Sequence, residues 1–195
     1  VLACGLTGPA PASEQAGRLL RDADALRSSN PRKLLETIKA LQIRSDLAEG
    51  QRDHLRYLQA YAASYQGNHD ESLAISKSLA DSATDADIRV RSGALAINTL
   101  TVQRQFAAGL RQLERTLALS EKVHDPSVRD HALYVAAMLH NAIGQYTIGK
   151  QYADAVLGRP GLEPRTRCFA SELKYEAMLN LRTLDPASSD LDGAV

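Results

Sequence analysis

Chemistry in this chain would have to come from few residue types. Five histidines (His54, His69, His124, His131 and His140) and two cysteines (Cys4 and Cys168) stand among 195 residues. No two histidines lie four apart on one helix, and His131 and His140 fall on different sides, so none of these pairs has the spacing to chelate a metal. Two thiols are too few for a zinc site or a disulfide framework. Cys168 reads as a buried residue opening a helix, and a Cys4–Cys168 bridge is open only to an oxidising compartment. Glu114 and Glu121 share a helical face, but Arg111 and Arg115 flank Glu114, the pattern of solvated ion pairs. A P-loop, a Gly-rich dinucleotide fingerprint, HExxH and Gly-x-Ser-x-Gly are all missing from the sequence. The expectation is a chain with no catalytic residue, no metal and no cofactor of its own.

One constellation does recur. Arg52-Asp53-His54-Leu55-Arg56-Tyr57 returns as Arg129-Asp130-His131-Ala132-Leu133-Tyr134, 77 residues later, and Arg89 stands between them at steps of 37 and 40. His69, Phe106 and Tyr146, each just after a turn, keep the same two steps. Markers taken from different segments agree on one period, the signature of a repeat.

The elements that would carry these residues are helical. Leu19, Leu20, Ala23 and Leu26 recur at three- and four-residue steps, as do Leu34, Leu35, Ile38 and Leu41. Asn30-Pro31, Asp125-Pro126 and Glu163-Pro164 each place proline behind a polar residue, and Asp85 precedes another apolar run; all four are helix starts. The spacing predicts helices at 13–28, 31–44, 50–66, 69–82, 85–102, 105–122, 126–143, 146–157 and 164–183, about nine in all, with no strand. The fold class is all-α, a solenoid of antiparallel helical hairpins.

Lysine plus arginine equals aspartate plus glutamate at 23 each, for a net charge of zero. That balance argues against a general polyanion surface, so no nucleic acid is expected as a partner. No apolar run reaches the ~18 residues that span a bilayer, so any membrane contact falls to flanking segments. The opening VLACGLTGPAPAS reads as the tail of an export signal, with Ala10-Pro11-Ala12 as a small-x-small cleavage site and Cys4 as a candidate lipid anchor. The division expected is 1–12 signal tail or disordered start, 13–184 helical repeat, and 185–195 linker. An array ending without a polar cap predicts a natural chain that continues past Val195.

The stretch YQGNHDESL, Tyr65 to Leu73, resembles the turn between helices A and B of the tetratricopeptide repeat family, and IGQYTIG, Ile143 to Gly149, is similar. Gly67 and Gly144 can take the left-handed conformation that ends helix A. Phe106 or Tyr146 then wedges between paired helices. Ser72, Gly109 and Gly149 let helix B approach, against Ala60 and Ala137 on helix A. The period of 37–40 residues exceeds the family's ~34, and the helix A tryptophan is missing, so the fold is best described as tetratricopeptide-like.

The resemblance implies that helix A lines a concave face where ligands bind. Carried over by this sequence's own turns, the inward positions are His54, Tyr57 and Tyr61, then Arg91, Asn98 and Thr101, then His131, Tyr134, Met138 and Asn141. Tyrosines offer area and hydrogen bonds at recognition surfaces, although Tyr57 and Tyr134 could equally fill gaps between neighbouring helices. The histidines suit a groove better than a core, and a pH-sensitive pair is one use of that placement. The expected partner is a peptide, protein or small molecule on this face, with a homodimer among the allowed assemblies. The whole pattern is similar to the extracytoplasmic sensor region that precedes the membrane span of GGDEF-type diguanylate cyclases. That likeness implies a periplasmic, non-catalytic input domain with its cyclase outside this chain. A stand-alone periplasmic or lipid-anchored adaptor and a cytosolic module of a regulator are the alternatives.

Overall fold

A computed structural model describes residues 12–27 and 29–184 of the chain. Among them are nine helices and no strand: α1 Ala12–Leu26, α2 Pro31–Gln42, α3 Glu49–Tyr65, α4 His69–Ser82, α5 Ala86–Val102, α6 Phe106–Ser120, α7 Pro126–Ala142, α8 Tyr146–Leu157 and α9 Pro164–Asn180. The chain is therefore an all-α helical repeat. The expected export tail, Cys4 and residues 185–195 lie outside the described residues.

Helix starts are set by local side-chain chemistry. Asn30 accepts from the Lys33 amide at 3.1 Å ahead of Pro31, and Asp125 accepts from the Ser127 amide at 2.9 Å ahead of Pro126. Asp85 accepts from the amides of Asp87 and Ile88 at 2.7 and 3.3 Å. Each satisfies a donor that the first helical turn would otherwise leave open.

The period seen in the sequence is written in the turns as well. Apart from Gly161 (71°) in the connection before α9, positive φ among the described residues occurs at Gly67 (82°), Arg104 (58°), Gly144 (79°) and Arg182 (56°). At each of these turns the next amide closes a long loop back onto its helix: Asn68 to Ala63 O, Gln105 to Leu100 O, Gln145 to His140 O and Thr183 to Met178 O, at 2.8–2.9 Å. This is the left-handed helix end with a six-to-one closure. Glycine takes it freely at two of the four sites, while arginine takes it against its steric preference at the other two.

Consecutive helices pack as antiparallel hairpins, and each odd helix also packs on the next odd one: α1 on α3, α3 on α5, α5 on α7 and α7 on α9. No comparable packing joins α2 to α4, α4 to α6 or α6 to α8. The odd helices thus form a continuous inner layer, and the even helices splay outside it. Helix α5 lies at the centre, contacted by α3, α4, α6 and α7, so it is buried almost all round from Ile88 to Leu100. Leu58, Leu79, Leu100 and Leu139 are fully buried, each contributing about 1.5–3 kcal/mol relative to exposure.

Hairpin partners approach closely where the sequence is small. Ser72, Ala60 and Ala137 are fully buried. A Cβ on Gly149 would sit 2.0 Å from Asn141 Oδ1 and 3.1 Å from the Ala137 carbonyl. Phe106 packs at the edge of the cluster formed by Ala94, Ile97, Leu113, Val135 and Leu139.

Candidate functional site

All of the charged and aromatic side chains of interest meet on the inner layer. The end of α1 supplies Asp24 and Arg27, α3 supplies Tyr57 and Tyr61, α5 Asn98, α7 His131, Tyr134 and Met138, and α9 Arg165, Thr166 and Phe169. Together with Ala94, Leu95 and Val135 they line one groove of about 370 Å³. No even helix contributes to it.

One end of the groove is a charge cluster built on Asp24. Its Oδ2 accepts from Arg91 Nη1 at 2.8 Å and lies 2.7 Å from His54 Nε2, while Oδ1 is 2.8 Å from Arg27 Nε. Arg27 Nη1 also donates to the Tyr57 hydroxyl at 2.6 Å. The Arg27 guanidinium lies 5.4 Å from the Tyr57 ring centre and 5.3 Å from that of Tyr61, and Arg91 lies 5.1 Å from Tyr57. Cations over ring faces gain from the ring quadrupole, and the arrangement ties α1, α3 and α5 together. Burial alone would raise the Asp24 carboxyl, but the His54 hydrogen bond and the Arg91 and Arg27 charges outweigh it and hold its pKa at about 2. Burial pushes the Tyr57 hydroxyl up, so it stays a neutral hydrogen-bonding group.

The other end is an aromatic row. The rings of His131 and Tyr134 stack at 5.9 Å and 20°, Tyr134 meets Phe169 at 6.1 Å and 39°, and Arg165 covers Phe169 at 5.4 Å. His131 is exposed on the groove surface. The crowding walls and then the Arg27 and Arg91 charges hold its pKa down, to about 4. Burial and the nearby Glu172 carboxylate raise the Tyr134 hydroxyl. What this surface offers is aromatic faces, hydrogen-bond donors and positive charge.

Of the ten positions expected from the sequence, Tyr57, Tyr61, Asn98, His131, Tyr134 and Met138 line the groove. His54 and Arg91 reach it through Asp24, as supports for the carboxylate. Thr101 and Asn141 do not line it, and their placement there is corrected. Thr101 Oγ1 donates to the Ile97 carbonyl one turn back. Asn141 is buried between α7 and α9, its amide donating to the Leu173 carbonyl and to Glu176 Oε2, both at 2.9 Å. Cys168, expected to be buried, is exposed, because the buried stripe of α9 runs through Ala170, Leu173 and Ala177 and a residue two before Ala170 points away from it.

Asp24, Arg27, Arg165 and Phe169 were missed. The repeat step itself reaches two of them: 37 residues before Tyr61 stands Asp24, and 38 after His131 stands Phe169. The same register aligns Tyr57, Ala94 and Tyr134, so a small residue on α5 lies between two tyrosines.

Outside the groove, Asp85, Asp87 and His124 bring potential ligand atoms within 4.8 Å of one another. Both carboxylates already serve the backbone: Asp85 caps α5, and Asp87 accepts from the amides of His124 and Asp125. Among the described residues no helix is long and apolar enough to cross a membrane. Comparison of the chain with protein-family models, with curated proteins and with solved structures finds no match.

Proposed function

We propose that this chain is a non-catalytic binding module of tetratricopeptide-like build that takes its ligand in the concave groove. The observation that carries the reading is the convergence of side chains from α1, α3, α5, α7 and α9 on one groove, with none from the even helices. Tyrosine, arginine and methionine are the residue types enriched where proteins recognise other molecules, and a groove of about 370 Å³ falls within the range of small-molecule sites.

The biological setting is read from the resemblance of the repeat segments. In that reading the module is the periplasmic input region of a membrane-bound GGDEF-type diguanylate cyclase, whose cyclase lies outside this chain. Ligand in the groove alters how two copies pair and so the output. Fractionation of the tagged native protein tests this setting; recovery from the cytosol contradicts it.

The groove is tested by filling it. Asn98, half-buried on the middle helix, is replaced by tryptophan, and wild type and variant are screened by thermal shift against a library of small molecules and short peptides. A ligand at a hundred times its Kd adds about 2.7 kcal/mol, a rise of roughly 5–10 °C for a chain this size. Compounds that stabilise the wild type leave Asn98→Trp unmoved. Equal stabilisation of both contradicts the groove reading.

A further inference from the structure

We infer that the groove is selective for a small planar monocarboxylate, an aromatic ring carrying one acid group. This deepens the binding reading above and rests on it.

Three observations converge. The charge cluster is unbalanced: Arg27 and Arg91 both contact one carboxylate, Asp24, with Asp125 acting on Arg91 only from beyond ion-pair distance. The contact cluster thus carries at least one positive charge with His54 neutral and one more with it protonated. Those side chains are mostly buried, at 17–24% exposed, where an uncompensated charge costs far more than at an open surface. Bound anion removes that cost, and among the described residues Arg27 uses only Nε and Nη1, so N–H donors remain to receive it.

The second observation concerns shape. His131, Tyr134 and Phe169 present a row of ring faces on α7 and α9, and Tyr61 lines the groove from α3. Ala94 on the helix between leaves a trough between Tyr57 and Tyr134 rather than a ridge. A flat ring fits such a trough by offset stacking. The third is size and the far end: a volume of about 370 Å³ holds a small molecule rather than a folded segment. Arg165 there lies over Phe169 with no ion pair among the described residues; it lines the groove, whereas Glu172, the carboxylate acting on Tyr134 at that end, does not. A compact monoanion matches this surface, whereas a cation would face the arginines.

The test uses one ring with three charges: indole-3-acetate, the neutral indole-3-acetamide and the cationic tryptamine, titrated by calorimetry into the wild-type protein. The acid binds at least tenfold more tightly than the amide, and tryptamine is weakest. Arg27→Gln removes the preference for acid over amide. Arg165→Gln, an exposed substitution that leaves the fold alone, lowers affinity for the acid several-fold and serves if Arg27→Gln fails to fold. Equal binding of acid and amide, or tightest binding of tryptamine, overturns the selectivity while the groove reading stands. Silence from all three also overturns it, and the Asn98→Trp screen then decides the groove reading by itself.

Discussion

Replacing Asp24 by asparagine removes one charge from the point where α1, α3 and α5 meet, and the structure sets the size of the effect. The carboxylate engages Arg27, Arg91 and His54 at 2.7–2.8 Å and is 17% exposed. A fall in its pKa from 3.8 to about 2 corresponds to roughly 2.5 kcal/mol at ~1.36 kcal/mol per pH unit. For a chain of this length that lowers Tm by about 5–10 °C. The sign follows from linkage: a carboxyl whose folded pKa is depressed contributes its stability above the unfolded value, and loses it as pH falls through the folded one. Thermal melts followed by helical circular dichroism at about pH 7 therefore show the full gap between wild type and Asp24→Asn. The gap narrows as pH drops from about 4 toward about 2, where the wild type becomes neutral as well. Equal melting at neutral pH, or a gap that ignores acid, refutes the reasoning.

The other predictions concern the repeat and the groove. Arg104→Gly relieves a left-handed arginine and raises stability by about 1 kcal/mol, while Gly144→Ala at the equivalent turn costs about as much; denaturant midpoints read both, and matching signs contradict the register. Gly149→Ala drives a methyl into Asn141, which its bonds to α9 hold in place, and costs about 1–3 kcal/mol. Gly50→Ala, with nothing within 4 Å of the added carbon, gains up to about 1 kcal/mol by the same measurement. His131, in the walls of the groove, titrates by NMR below the ordinary imidazole value of 6.5, toward about 4; a midpoint at or above 6.5 contradicts the combined action of desolvation and the arginine charges on this ring.

The helices were legible because their signals are local. Caps at Asn30, Asp85 and Asp125 and the apolar periodicity place every helix within three residues of its observed ends. The inner face was legible through α3, α5 and α7, whose turns carry the markers that fix the register. It was not legible on α1, since the Arg27-Ser28-Ser29-Asn30 junction has no glycine or aromatic to extend the pattern. Nothing in their sequence position separates Asp24 and Arg27 from helical surface charges; the packing of α1 on α3 turns them inward. Asn141 failed for the opposite reason. Its register position follows Thr101 by 40 residues, but its polar head finds partners on α9, a contact between elements that sequence spacing does not encode.

The sequence contains two methionines, and the fold separates them: Met138 lines the groove, whereas Met178 is buried in α9. Methyl-labelled methionine therefore supplies a reporter inside the proposed site and a control outside it, assigned by Met138→Leu. During titration with indole-3-acetate and with any compound that stabilises the wild type, the account predicts that the Met138 methyl resonance shifts to saturation while Met178 stays in place. A saturating ligand that moves Met178 alone, or moves neither, contradicts the claim that the odd helices form the binding face.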